Sequence, residues 1–356
     1  MTRGGYGVKK KLFILVLLVM SLGLFTGCSS NSTSKSVINN QKASTPQKFR
    51  YIKTINPFQQ SCVFDAIQAL PNGDVVAAAD VSNQSRLITI KPDDNTIIGP
   101  QLKFARYYIN GDAVTSIGLL NNSTILLGNI DGQIIQWDGQ GEPSIWKDSL
   151  PDTYPSIGGN IGIIAIKKFN DGKVLLACGD DRMFIVDSNG NYIWSYKKGT
   201  FSDSALCADG DIIGVNGENI YKINSLGQLQ KVGSNPYGKQ GICTVVALKN
   251  GSAIFCDEGG NIFSMTKDYT LKKLGTTSTL KKAETGVALN NNTAILVEKR
   301  YELNKPDNLI FCTQDKIEKM EDIQGTSGSV VTVTQRANGD IIFGTNSGEL
   351  VVYGIR

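Results

Sequence analysis

Short polar turns followed by runs of apolar residues recur along most of the chain. Each turn contains Asn-Gly, Asp-Gly or a related polar pair, and apolar residues follow at once. The seven instances fall at residues 72–76, 122–126, 171–175, 209–213, 250–254, 291–295 and 338–342. Their second positions are separated by 50, 49, 38, 41, 41 and 47 residues. A regular period of this size indicates an array of repeated structural units.

Each unit has the pattern of four antiparallel strands. An apolar strand precedes every turn, and Asn-Gly or Asp-Gly between two such runs predicts a hairpin because both residues tolerate positive φ. A second polar turn and a third strand follow, as at 131–137 and 259–265, and a shorter fourth strand ends the unit, as at 189–194. Seven such units predict an all-β protein, a seven-bladed β-propeller with four antiparallel strands per blade. A two-sheet sandwich and a six- or eight-bladed ring are the competing folds.

The last unit lacks a fourth strand of its own. Its third strand, at 350–353, is followed by only three residues, whereas the strand-like stretch 49–55 precedes the first complete unit and has no partner there. We expect residues 49–55 to supply the outer strand of the last blade. That pairing would close the ring and remove the open sheet edges that invite aggregation.

The N-terminus has the pattern of an export signal. Arg3 and Lys9–Lys11 precede an apolar run at 12–24, which is short for a transmembrane helix, and Thr26-Gly27-Cys28 follow it. This arrangement resembles the lipobox of bacterial lipoproteins, a family that is cleaved before the cysteine and acylated on it. The competing interpretation is an ordinary secretory signal. The resemblance implies a lipid on Cys28 that holds the protein on the extracytoplasmic face of the cell membrane.

Composition divides the chain into three parts. Residues 29–48 are rich in Ser, Asn, Thr, Lys and Gln and nearly devoid of large apolar residues, so they cannot bury enough surface to offset chain entropy. The sequence therefore predicts a lipoprotein signal peptide at 1–27, a flexible tether at 28–48 and the propeller at 49–356. We expect the protein to be a monomer.

The charge balance excludes one class of partner. The chain has 36 basic and 32 acidic residues, and the predicted signal peptide holds four of the basic residues and no acidic one. The mature chain is therefore formally neutral. A neutral body argues against nucleic-acid binding, which depends on a basic surface.

Parts of the repeat resemble two families of propeller proteins. Residues 171–175, 180–187 and 190–194 combine an Asp-Gly turn, a second acidic turn, a strand ending in Asp, and then Gly and Trp. This blade resembles the quinoprotein-like (PQQ-like) repeat, and 338–345 resembles it in part. The resemblance implies the fold and not the chemistry. No two cysteines are adjacent, which counts against the quinone binding of the dehydrogenases in that family. Trp137-Asp138 resembles the dipeptide of WD repeats.

The chain contains no histidine. The absence of histidine excludes Ser-His-Asp and Cys-His catalysis, metal sites with His ligands and general-base catalysis by His. It also excludes the mechanism of propeller lyases that use a His. The seven cysteines form no C-x-x-C pair, and we expect most of the six beyond Cys28 to be free and buried. The functions that remain possible are carboxylate chemistry, binding of a cation such as calcium through oxygen ligands, and binding without catalysis.

The candidate site residues come from loops that a propeller gathers on one face. The loops between second and third strands carry acids, the long loop of the sixth unit carries an Arg-Tyr pair, and the connections between units carry aromatic and basic residues. The candidates are Asp180, Asp181, Arg182, Asp257, Glu258, Arg300, Tyr301, Arg106, Tyr108, Tyr154 and Tyr237. The competing interpretation is structural: turns need Asp and Asn, and each Tyr packs against a neighbouring blade.

These observations favour a non-enzymatic binding or scaffold propeller that holds a protein partner or a small polar ligand. No catalytic residue and no resident cofactor are expected. The alternative is an extracytoplasmic carbohydrate- or peptide-active enzyme that uses carboxylates, with calcium as the one cation left open.

Overall fold

The computed structural model describes residues 49–58, 62–82, 84–102, 114–147, 150, 162–300 and 305–355. One compact unit covers Gln47–Arg356. The predicted signal peptide and tether lie outside the described residues. No helix long and apolar enough to cross a membrane occurs in the part of the chain that the structure describes.

Twenty-eight strands form seven four-stranded antiparallel sheets, which confirms the predicted all-β, seven-bladed propeller. The strands of blades one to three are β2 (Cys62–Ala69), β3 (Val75–Val81), β4 (Gln84–Ile90), β5 (Thr96–Gln101), β6 (Val114–Leu119), β7 (Ile125–Asn129), β8 (Ile134–Trp137), β9 (Ser144–Lys147), β10 (Ile163–Lys168), β11 (Val174–Cys178), β12 (Met183–Val186) and β13 (Tyr192–Tyr196). Those of blades four and five are β14 (Asp203–Leu206), β15 (Ile212–Asn216), β16 (Asn219–Ile223), β17 (Leu229–Ser234), β18 (Ile242–Ala247), β19 (Ala253–Asp257), β20 (Asn261–Met265) and β21 (Leu271–Thr276).

Blade six consists of β22 (Ala283–Ala288), β23 (Ala294–Glu298), β24 (Asn308–Cys312) and β25 (Ile317–Asp322). Blade seven combines β26 (Val330–Gln335), β27 (Ile341–Thr345) and β28 (Leu350–Ile355) with β1 (Phe49–Ile55) from the other end of the chain. In the six other blades, the four strands follow one another in sequence order from the channel outward.

The core lies between blades rather than within a single sheet. Second and third strands such as β7 and β12 are buried along their whole length, whereas the outer strand β13 is largely exposed. One apolar cluster, for example, joins Val76 and Leu87 of blade one to Leu127 and Trp137 of blade two. Since each sheet is covered on both faces, these strands have continuous apolar runs instead of an alternating pattern.

The ring closes as the sequence predicts. Strand β1 pairs antiparallel with β28, from Phe49 opposite Ile355 to Ile55 opposite Leu350. The Phe49 ring stacks on Tyr353 with the ring centroids 5.1 Å apart. An N-terminal strand thus completes the last blade and covers the outer edge of β28.

A buried ion pair joins this closing blade to blade one. Arg336, in the turn after β26, is only 1% exposed and pairs with Asp94 in the turn after β4. Its other terminal nitrogen donates to the Lys91 carbonyl at 2.9 Å, and Lys53 of β1 contacts Asp94 at 2.9 Å. Burial opposes ionisation of Asp94, but hydrogen bonds from Lys53 and Arg336 outweigh it and hold the pKa of Asp94 below its ordinary value.

Replacement of Asp94 by Asn should weaken the closure. Asp94 has a φ of 66°, which Asn also tolerates, so the Asp94→Asn change removes the charge with little backbone cost. We expect the free energy of unfolding at pH 7 to fall by about 2–3 kcal/mol because the buried Arg336 guanidinium loses its counter-ion. Denaturant titration measures this loss.

The matched control is Asp93→Asn, which changes an exposed acid of the same turn and should cost less than about 0.5 kcal/mol. The lowered pKa of Asp94 stabilises the fold above its unfolded pKa near 3.8, and this contribution is lost as the pH falls through the folded value. The gap between wild type and Asp94→Asn should therefore narrow below about pH 4. Equal losses from both variants at pH 7 would contradict the closure role.

Candidate functional site

The strand directions divide the propeller into two faces. We call the side with the second-to-third-strand loops and the connections between blades the loop face, and the side with the other hairpin turns the turn face. Strand order within every blade and the antiparallel pairing place these segments as predicted. The loop face includes the connections at 235–241 and 277–282 and the two described ends of the blade-six loop, at 299–300 and 305–307.

A central channel of about 670 Å³ runs along the inner strands of all seven blades. Six of those inner strands carry a β-bulge near the loop face. The residues at the bulges, which all line the channel, are Asp65, Thr115, Ile164, Cys243, Glu284 and Val331. A bulge turns one extra side chain away from the regular ladder, so chemistry can vary there while the blade stays paired.

Polar side chains at these positions join neighbouring blades. Thr115 Oγ1 donates to the Ile163 carbonyl of blade three at 2.7 Å. Ser202, just before β14, donates to the Ile242 carbonyl of blade five at 3.2 Å. Each acceptor is the first residue of the next inner strand. The donors therefore form hydrogen bonds across the seams between blades.

Blade one places two carboxyl groups near the loop-face end of the channel. Asp65 is its bulge residue, and Asp80 lies on the adjacent strand β3. Asp65 Oδ2 and Asp80 Oδ1 are both buried and have no hydrogen-bond partner among the described residues. Burial and the nearby charge of Asp80 raise the pKa of Asp65 to about 7, and the same surroundings raise the pKa of Cys62 to about 11. Asp65 can therefore exchange a proton near neutral pH.

The other channel carboxylates are engaged in the structure. Asp203 accepts a hydrogen bond from the Val245 backbone N–H at 2.8 Å; burial raises its pKa, and the Lys167 charge opposes that effect. Glu284 pairs with Lys299 and lies 3.6 Å from Lys282. These contacts hold inner strands together rather than leaving a second open acidic group.

Two of the predicted loop residues form a structural network between blades four and five. Asp257 is fully buried and accepts hydrogen bonds from the side-chain nitrogens of Asn235 and Asn261, both at 2.9 Å. The Tyr237 hydroxyl donates to the Gly275 carbonyl at 3.1 Å. These contacts support the structural interpretation of both positions, which nevertheless lie on the loop face. Glu258, beside Asp257, is exposed.

The predicted acids of blade three lie together in one turn. Arg182 is buried, and its Nε donates to Asp180 Oδ2 at 2.8 Å. Asp181 is exposed and has a φ of 62°, a conformation that Asp tolerates in tight turns. Asp180 and Arg182 thus form an ion pair, whereas Asp181 is accessible from the loop face.

The blade-six loop is anchored at its base. Fully buried Glu298 accepts hydrogen bonds from the Thr279 backbone N–H at 2.7 Å and the Asn308 side chain at 3.0 Å. Burial favours its neutral form, but these and the other hydrogen bonds prevail and lower the pKa of Glu298 to about 2. Asp307 accepts from the Arg300 backbone N–H at 3.0 Å, and the Arg300 guanidinium contacts Asp322 at 2.7 Å.

The remaining predicted positions are Cys28, Arg106, Tyr108, Tyr154 and Tyr301, and they lie outside the described residues. The site residues that sequence reasoning missed are the channel groups Asp65, Asp203 and Glu284. Their signal was a charged residue within or at the start of the otherwise apolar first strand of a repeat. All six described cysteines are free, and four of them are buried. Within the described part of the chain, no group of three or more Cys, Asp or Glu is placed to hold a metal ion.

Replacement of Asp65 by Asn should stabilise the protein at neutral pH. The unfolded chain releases this proton near pH 3.8, whereas the folded protein holds it until about pH 7. The wild type therefore loses stability as the pH rises through this window. We expect Asp65→Asn to raise the free energy of unfolding by about 1–3 kcal/mol at pH 7.5 and to leave it nearly unchanged at pH 4. Denaturant titration at the two pH values measures both.

The matched control is Glu142→Gln, which neutralises an exposed turn acid and should change stability by less than about 0.5 kcal/mol at either pH. An Asp65→Asn effect of the same size at pH 4 and pH 7.5 would show that packing, and not ionisation, accounts for the difference.

No protein-family model and no curated protein matches the sequence. Solved propellers are similar in fold. Virginiamycin B lyase from Staphylococcus aureus matches with a TM-score of 0.71 and 14% identity over 87% of this chain and 100% of its own. The WD40 propeller domain of Doa1 matches with a TM-score of 0.63 and 12% identity over 86% and 97% of the two chains. YCF48 bound to D1 peptide matches with a TM-score of 0.62 and 11% identity over 88% and 98%.

These identities establish the propeller fold alone. A further structure of the lyase, with quinupristin, is of a variant made inactive by replacing a histidine with alanine. The present chain has no histidine, so that side chain has no counterpart here. The chain shares the architecture of these propellers, and its own channel and loop face define what it can bind.

Proposed function

We propose that this chain is a membrane-anchored extracytoplasmic lipoprotein whose propeller binds a protein partner at its loop face, without catalysis and without a resident cofactor. The observation that carries the proposal is the direction of β1. Phe49 lies on the turn face and Ile55 on the loop face, since β1 runs antiparallel to β28. The described chain therefore enters the propeller on the turn face, and we propose that the opposite loop face binds the partner.

The loop face combines a fixed base with accessible side chains. Buried Asp257 and Glu298 hold neighbouring loops through several hydrogen bonds each, so the face is preorganised. Asp181, Lys239 and Glu258 are exposed on it. Mixed exposed charge on a rigid surface suits recognition of a polar protein surface or peptide. A structurally similar propeller, YCF48, is described in complex with a peptide.

The alternative function, a carbohydrate- or peptide-active enzyme, has one observation in its favour. Asp65 lines the channel, the nearby charge of Asp80 helps to raise its pKa, and the resulting pKa of about 7 is in the range expected of a general acid. The other channel carboxylates are held by hydrogen bonds or ion pairs, which favours binding over catalysis. Hydrolysis of a peptide or glycan mixture by the wild type that is lost in Asp65→Asn would establish the alternative.

Replacement of Cys28 by Ala should abolish lipidation and membrane attachment. Cells expressing the full chain would be labelled with a fatty-acid analogue and fractionated. We expect wild type to carry label and to sediment with membranes, and we expect Cys28→Ala to be unlabelled. Cys62→Ala serves as the control, because Cys62 is a buried propeller thiol and its replacement should leave the label in place. Label on the Cys28→Ala protein would disprove the anchor.

Substitutions on the loop face, but not on the turn face, should abolish binding of the partner. Full-length lipidated protein would be cross-linked in cells and recovered, and the bound proteins identified. In one variant Asp181, Lys239 and Glu258 become Ser. In the matched turn-face variant the exposed residues Asp138, Lys249 and Asp268 become Ser. We expect a specific envelope protein with wild type and the turn-face variant, and at least tenfold less with the loop-face variant.

Equal recovery from both variants would contradict the assignment of the binding face. If no protein is recovered at all, the protein-partner proposal fails, and thermal-shift screening with sugars, peptides and calcium would test the small-ligand and enzyme alternatives.

A further inference from the structure

Two cysteines of blade five meet at the wall of the channel. Cys243 is the bulge residue of β18, and its neighbour Thr244 lies opposite Cys256 of β19. Cys243 Sγ donates to the Cys256 carbonyl at 3.2 Å, and the sulfurs of both cysteines contact the Ala283 backbone. The chain therefore places a dithiol at a point where the regular ladder is interrupted.

The backbone geometry suits a bond between these two residues. At a β-bulge two residues of one strand face a single residue of its partner. Directly opposed residues of antiparallel strands have Cα atoms about 4.5–5.5 Å apart, and disulfides span Cα separations of about 4.4–6.8 Å. Thr244 is the residue directly opposite Cys256, and Cys243 shares the bulge with it. The sulfurs of both cysteines contact the Ala283 backbone, so the two thiols are neighbours that a disulfide can join.

The channel gives a small reagent access to one of the two thiols. Cys243 is partly exposed and lines the 670 Å³ channel, whereas Cys256 is buried behind it. None of the other described cysteines lines this channel. Attack from the channel is therefore directed first to Cys243.

We propose that Cys243 and Cys256 form a redox-active pair that closes into a disulfide by exchange with a small disulfide entering the channel. The Cys243 thiolate attacks one sulfur of the reagent, which releases the first small thiol and leaves a mixed disulfide on Cys243. Cys256 Sγ then attacks Cys243 Sγ and releases the second small thiol. The protein loses two electrons, and its two thiol protons pass through solvent to the two released thiolates.

The second step should be slow at neutral pH. Contact with Cys243 and burial raise the pKa of Cys256 well above its ordinary value, and the negative charge of neighbouring Asp257 acts in the same direction. Since the thiolate is the nucleophile, the mixed disulfide should accumulate at pH 7 and resolve faster at pH 9. This order of events distinguishes exchange through Cys243 from non-specific oxidation.

Closing the pair would change the seam between blades five and six. In the dithiol form Cys243 Sγ donates to the Ala283 carbonyl at 3.5 Å, and the Ala283 N–H donates to Cys256 Sγ at 3.3 Å. The disulfide removes the first of these bonds and can retain the second as an acceptor. Ala283 precedes Glu284, which pairs with Lys299 at the start of the blade-six loop. Oxidation thus alters a contact at the base of the loop face.

The test uses the folded full-length protein and 2-hydroxyethyl disulfide as the probe. After incubation at pH 7 and pH 9, remaining thiols are alkylated and the digest is examined by mass spectrometry. We expect a Cys243–Cys256 cross-link at pH 9, with the probe attached to Cys243 as the main earlier product at pH 7. The cross-link should raise the melting temperature by about 5 °C, because it closes a loop in the unfolded chain.

Three variants test whether the exchange reaction is specific to Cys243 and Cys256. Cys256→Ser should stop the reaction with the probe on Cys243, and Cys243→Ser should leave Cys256 unmodified. Serine is acceptable at 243 because Ser202 makes the equivalent bond between blades four and five. Cys207→Ser removes a partly exposed thiol outside the channel and should not affect the cross-link. Circular dichroism confirms that each variant is folded.

A free Cys243 after incubation at both pH values would overturn the proposal. So would modification of Cys256 in the Cys243→Ser variant, or a mixed disulfide in the wild type that never resolves at pH 9.

Discussion

Burial of every sheet between two neighbours is the constraint on which this propeller depends. A blade exposes two apolar faces when it stands alone, as the fully buried strands β7 and β12 show. Only a closed ring covers both faces of all seven blades. Pairing of β1 with β28 satisfies that requirement at the one place where the chain ends would leave a gap. The Arg336–Asp94 pair joins blade seven to blade one at the same junction, so chain closure and blade packing are stabilised together.

The same constraint accounts for the acids of the loop face. The connections between blades must follow the ends of the second strands, and their backbone N–H groups need acceptors when they are buried. Glu298, at the end of β23, accepts from the Thr279 N–H of such a connection, and Asp257, at the end of β19, accepts from the Asn261 N–H of its own hairpin. The fold therefore accounts for an acid at each of these two positions. Asp181 and Glu258 are exposed, and they are the acids that we propose to contact a partner.

The fold could be predicted from the sequence because each repeat contains its own turns and apolar runs, and even the closing strand has a local pattern. The candidate site could not be predicted in the same way, because many of its side-chain contacts form between residues that are distant in the sequence. Asp65 and Asp80 belong to two strands of one blade, and their interaction becomes visible only when those strands are paired and buried. Tyr237 and Asp257 lie on the loop face, and their hydrogen-bond partners are Asn235, Gly275 and Asn261. No periodic pattern in the sequence specifies which bulge residue meets which carbonyl.

The bulges explain how one backbone position supports different chemistry. Thr115, Ser202 and Cys243 each donate to the second strand of their own blade and to the first residue of the next inner strand. Asp65 occupies the corresponding place in blade one, where a carboxyl group can donate only when it is protonated. Its raised pKa favours that form, and its buried Oδ2 has no hydrogen-bond partner among the described residues. The inner strands thus accommodate a hydroxyl, a thiol or a carboxyl group at one backbone position. Asp65 makes the stability of blade one depend on pH, and Cys243 is the thiol that we propose for oxidation.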